Sequence, residues 1–163
     1  MLFWAVLFVA FYRSQHEQQS WVEALTVILD TCALILTSID GLPLVTARFT
    51  FAMARHAVVD LAQVLDIPPP TAVNRLSSTE FTHLQDMLVA SGLRLKESTA
   101  SFCSLAVLRA TYEPFVSSLA EHMQVSLPPW LPPADTLDDW QTRAWDDRFP
   151  SIRQTLNKVM HPE

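Results

Sequence analysis

The chain has 163 residues, half of them hydrophobic and only 17% charged, with a formal net charge of −6. That length suits one domain burying about two thirds of its unfolded surface, and so few charges leave little polar surface to cover it, which predicts an apolar face toward a membrane or a partner. Two lysines, Lys96 and Lys158, and two glycines, Gly41 and Gly92, exclude a basic nucleic-acid footprint, a phosphate loop, a dinucleotide fingerprint and a G-x-S-x-G nucleophile elbow.

Scarce glycine, eleven prolines bunched between segments and long apolar runs with helical spacing predict an all-α helical bundle. Leu2 to Tyr12 is an unbroken apolar run, about half the roughly 20 residues that cross a bilayer. It has no basic start or small-residue cleavage site, so it does not read as a signal peptide. It reads instead as the truncated, membrane-proximal end of something longer. Phe3, Trp4, Phe8, Phe11 and Tyr12 are the expected membrane or partner contacts.

Ser20 and Glu23 have capping-box spacing and open a helix expected over 20–39. Its apolar residues cover most of its circumference, which predicts burial nearly all round. Asp30 at its centre costs about 3 kcal/mol on membrane-insertion scales, so a buried core helix is the better reading. Asp40-Gly41-Leu42-Pro43 forms a turn, and a second helix over 44–65 completes an antiparallel hairpin. Arg48, Arg55, His56 and Asp60 sit in that second, largely apolar helix. Buried charges need partners, so these four and Asp30 are read as a structural polar network. The hairpin register sets Asp30 beside Arg55, and His56 shares a face with Asp60.

Pro68-Pro69-Pro70 ends the hairpin, and Ser77 with Glu80 repeats the capping-box spacing to open a helix over 77–91, closed by Gly92. Further helices are expected over 99–112 and, after a kink or restart at Pro114, over 114–123. The proline-rich segment Leu127 to Pro133 cannot be helical, and Trp130 is expected to dock it onto the bundle. Residues 1–12 thus form the membrane-proximal segment and 13–133 the helical domain. Residues 134–163 form an acidic tail with short helices, five aspartates lying between Asp135 and Asp147.

A metal could be sought at His56 and Asp60 with His16 or Asp30, and a Cys/His arrangement at His56, Asp60 and Cys32. Two ligands one helical turn apart arise often by chance, and nothing supplies an oxyanion hole. Cys32 and Cys103 fit no metal or redox spacing and read as buried thiols of a reducing compartment. No catalytic residue, cofactor or metal is therefore expected.

Several stretches together carry a resemblance. Tyr12-Arg13-Ser14-Gln15-His16 with Gln19-Ser20-Trp21, the run Ile28 to Leu34, the segment ARFTFAMARHAVVDLAQV, Leu108-Arg109 with Tyr112-Glu113-Pro114-Phe115, and Leu127-Pro128-Pro129-Trp130 resemble the region after the pore in bacterial two-transmembrane, potassium-channel-like membrane proteins. The match covers roughly residues 8 to 142. In that family a pore module of two membrane helices and a filter loop precedes a cytoplasmic helical region. The chain departs from the family in lacking any T-V-G-Y-G filter, whose carbonyls replace the hydration shell of K⁺, so it cannot conduct ions alone. The resemblance implies a non-catalytic, channel-associated domain at the cytoplasmic face of the inner membrane, acting in assembly or gating. Its expected partners are pore-domain helices, the membrane, or further copies of itself. The alternative is a cytoplasmic, soluble helical protein-interaction module.

Overall fold

The structure, a computed structural model, describes residues 20–69 and 73–131. The apolar run with Phe3, Trp4, Phe8, Phe11 and Tyr12 and the acidic tail over 134–163 lie outside the described residues. The unit that contains all described residues ends at Leu131.

The fold is all-α and built on an antiparallel hairpin. Five helices occur among the described residues: α1 (Trp21–Thr37), α2 (Leu44–Val64), α3 (Ser78–Ala90), α4 (Ser98–Arg109) and α5 (Glu113–Met123). Each lies within a few residues of its expected bounds. Both predicted capping boxes form. The Ser20 hydroxyl accepts from the Glu23 amide while Glu23 accepts from the Ser20 amide, and Ser77 and Glu80 do the same. These reciprocal bonds satisfy two otherwise free helix-start donors in each case. The Ser77 bonds hold the Glu80 carboxyl below its usual range. Pro114 does not kink a continuous helix. The chain breaks at 110–112 and restarts, with the proline in the first turn of α5, where its missing N–H costs nothing.

α1 packs mainly along α2, and on its other flank against α4 and α5. Val22, Leu29 and Ala33 of α1, Val58 of α2, Leu105 of α4, and Tyr112, Val116 and Leu119 at α5 have no more than a trace of exposure and form one cluster. Phe51 meets Tyr112 edge-on at 5.8 Å, an arrangement that aligns the ring quadrupoles. α3 joins this core through Phe81, whose ring lies 5.1 Å from that of Phe102. The expectation that α1 is buried all round is corrected: Ala24, Val27, Ile28 and Thr31 are exposed, because α2, α4 and α5 cover only part of its circumference. No helix of the described residues is long and apolar enough to cross a membrane.

The far end of the hairpin is tied down by a short extended strap. The Asp40 amide donates to the Arg94 carbonyl and the Lys96 amide to the Ser38 carbonyl, making an antiparallel bridge between Ile39 and Leu95. The Lys96 ammonium donates to the Leu36 carbonyl at 3.0 Å, capping the negative end of α1. At the turn, Gly41 has φ +81, and a methyl group there would sit 2.7 Å from the Arg94 guanidinium. Gly41→Ala is expected to lower stability by about 1–3 kcal/mol, through backbone strain and displacement of Arg94. Urea denaturation with an unchanged m-value checks this.

Candidate functional site

Asp30 is buried near the middle of α1, as expected, but its partner is not Arg55. Arg75 approaches it with both terminal nitrogens, Nη2 2.8 Å from Oδ2 and Nη1 3.3 Å from Oδ1, and the Tyr112 hydroxyl donates to Oδ1 at 2.6 Å. The forked contact is the strong geometry for a guanidinium and a carboxylate. α2 ends at Val64, with Asp66 at φ +54 and the Ile67 amide donating to the Ala62 carbonyl, and Arg75 reaches Asp30 from the segment just before the Ser77 cap.

A second forked pair lies beside the first. Arg109, in the last turn of α4, and Glu113, at the start of α5, are four residues apart. Nε and Nη2 of Arg109 meet the two carboxylate oxygens of Glu113 at 2.9 and 3.1 Å. Nη1 of Arg109 donates to the Leu76 carbonyl and Nη2 to Oδ1 of Asn74. Arg75 Nη1 also lies 3.7 Å from Glu113, which joins the two pairs. Two guanidinium groups and two carboxylates therefore neutralise each other in one buried cluster.

The proline-rich segment covers this cluster. Nη2 of Arg75 donates to the Pro128 carbonyl at 2.7 Å, and the Trp130 ring lies 5.6 Å from the Arg109 guanidinium carbon and 6.0 Å from that of Arg75. Both are within cation–π range. Trp130 docks the segment onto the bundle as the sequence suggests, and it does so over charge as well as over apolar surface.

The remaining expected members are placed elsewhere. Arg55 is half-buried, and its Nε donates 3.2 Å to the Thr111 carbonyl in the break between α4 and α5. Arg48, His56 and Asp60 are exposed and outside the cluster. The predicted five-residue network is thus corrected: Asp30 belongs to a network with Arg75, Tyr112, Arg109, Glu113 and Asn74. Register alone made Asp30 and Arg55 level. Asp30, however, shares its face with Thr26, Leu29 and Ala33, toward the α4–α5 junction. The i,i+4 spacing of Arg109 and Glu113 was a usable signal for the second pair; Arg75, in a linker, carried none.

Burial pushes the Asp30 carboxyl above its ordinary value, against the pull of Arg75 and Tyr112, with the Glu113 charge adding to the rise. The Tyr112 hydroxyl is driven far up, by burial first and by Asp30 next, and stays a protonated donor. Burial likewise raises the Cys32 thiol, whereas Cys103, expected to be buried, is exposed. No group of three His, Cys, Asp or Glu residues among the described residues could hold a metal. His56 and Asp60 lie on the surface, whereas Asp30 lies in the core. With its carboxylates committed to guanidinium groups, the cluster can lock α1, the 73–77 linker, α4, α5 and the 127–131 segment together. It offers no free base or nucleophile.

A different surface stands out on α2. Val45, Phe49 and Met53 recur every fourth residue, 65%, 70% and 69% exposed, with Leu42 in the turn 39% exposed. They form one stripe facing away from the buried Ala47, Phe51, Ala54 and Val58. Isolated exposed apolar residues are ordinary, whereas a stripe of large ones on one helix face is a surface chemistry common at interaction sites. Beyond Met53 the same face turns polar at His56 and Asp60.

No protein-family model, curated protein or solved structure matches this chain.

Asp30→Ala is expected to strand Arg75 and the Tyr112 hydroxyl and to cost about 3–5 kcal/mol, whereas Asp30→Leu with Arg75→Met costs much less. Denaturant cycles on the single and double variants test this; additive losses would remove the coupling. The pH dependence carries a second sign. The folded Asp30 carboxyl titrates above the unfolded value of 3.8, so its protonation adds stability as pH falls through that window. Asp30→Asn lacks this contribution, and its stability is expected to fall more steeply with acid than that of the parent.

Proposed function

We propose that the chain is a non-catalytic helical domain of a potassium-channel-like membrane protein, acting at the cytoplasmic face of the inner membrane. In this reading it works by packing an apolar helix face against pore-domain helices, the membrane or a second copy. The observation that carries the proposal is the exposed stripe of Val45, Phe49 and Met53, the surface excess that the composition predicts. The self-neutralised cluster around Asp30 supports a structural use of the buried charges. Assembly or gating would then follow from contacts that differ between two states of the partner, the requirement for any such coupling.

A soluble helical interaction module is the second reading. It is favoured by the confinement of the stripe to the first half of α2, where His56 and Asp60 then return the face to water. Membrane dependence separates the two.

The full chain is expected to float with phosphatidylcholine vesicles or to need detergent for monodispersity. Phe49→Ser with Met53→Ser is expected to abolish both at unchanged thermal stability, since exposed positions contribute within about 0.5 kcal/mol. A chain that never floats and gives the same monodisperse size-exclusion profile with and without detergent would sink the membrane reading and leave the soluble module.

A further inference from the structure

The second candidate surface is a cleft of about 330 Å³ between the end of α1 and the start of α4, within the size range of small-molecule sites. Leu36 and Thr37 line one wall. Lys96, Ala100, Ser101 and Ser104 line the other, with Glu97 among the lining residues. Ser101 is 2% exposed, and its hydroxyl has no hydrogen-bond partner. A helical serine ordinarily returns its hydroxyl to the carbonyl four residues back. Here the hydroxyl makes no such bond and has no partner. A buried hydroxyl without a partner is costly, and such groups mark places where something else supplies the bond.

The end of α4 at this cleft adds a second, independent reason. Glu97 occupies the N-cap position of this 12-residue helix and makes no side-chain cap bond, unlike Ser20 of α1 and Ser77 of α3. The positive end of α4 is therefore not covered by its own cap residue. The Lys96 ammonium stands at the same place, held by the Leu36 carbonyl.

We propose that this cleft binds a small oxyanion, a carboxylate or phosphate group. Its oxygens accept from the first-turn amides of α4 and the Ser101 hydroxyl, and Lys96 supplies the countercharge. The exposed Glu97 carboxylate opposes the ligand and sets an upper limit on affinity. The site is independent of the α2 stripe.

The test is a titration of the full chain with inorganic phosphate and, separately, with acetate at constant ionic strength in chloride, followed by amide NMR. Expected are saturable shifts confined to the amides from Lys96 to Ser104. Ser101→Ala should weaken binding about tenfold through loss of a charged hydrogen bond. Glu97→Gln should tighten it about threefold or more by removing the opposing charge. Alanine favours helix, so circular dichroism of Ser101→Ala should match the parent and separate lost binding from lost structure. Saturation by both anions, or by one alone, supports the site and assigns its chemistry. Shifts that chloride reproduces, that never saturate, or that are unchanged in Ser101→Ala would overturn it.

Discussion

Charge neutrality in the interior is the constraint on which the rest of this structure depends. Asp30 sits in the face of α1 that the core requires, and a lone carboxylate there is far costlier than any apolar contact it replaces. The bundle answers by bringing two arginines and a second carboxylate to the same place, each pair in forked geometry. Four separate elements must converge for this to work: α1, the segment before α3, the α4–α5 junction and the residues after α5. The polar cluster thus selects one arrangement among the many ways in which five amphipathic helices could bury similar area. Apolar burial supplies the drive toward compactness, and the ion pairs discriminate between packings.

What the sequence disclosed and what it withheld divide along physical lines. Helix bounds were legible because caps, prolines and glycines act locally: Ser20 with Glu23, Ser77 with Glu80, Gly41 and Gly92 each do their work within a few residues. The burial of Asp30 was legible because an acid in an apolar helix admits few alternatives. Its partner was not legible. A hairpin register gives the height of a residue on its helix but not the azimuth at which it leaves, and Arg75 reaches Asp30 from a segment with no regular periodicity. Arg48, His56 and Asp60 were assigned to the interior because their neighbours are apolar. The apolar neighbours Val45, Phe49 and Met53 lie on the outside with them, so a helix rich in hydrophobic residues on all sides concealed which side was core.

That ambiguity has a structural cause. α2 has two apolar faces, one filled by the bundle and one left open over its first half. The hairpin is accordingly asymmetric. Its turn end carries the start of the open apolar stripe and the strap from Leu93 to Lys96, while its opposite end leads into the prolines. The stripe lies on the outer face of α2, while the locking charges lie inside the bundle at Asp30.

The order in which the chain emerges during synthesis gives the cluster a further consequence. The partners of Asp30 lie 45 and 82 residues downstream, and the carbonyl that accepts from Arg75 lies 53 residues beyond it. The α1–α2 hairpin is made first, with its carboxylate uncompensated, and nothing within the hairpin can repair that. A nascent chain that has produced only the first two helices therefore has reason to keep them loose. The contacts that compensate the carboxylate become possible only after Arg75, Tyr112 and the residues around Pro128 have been made. Long-range closure of this kind slows folding relative to a bundle held by neighbouring contacts. A chain shortened before Trp130 loses part of the cover over its charges along with a few residues of packing.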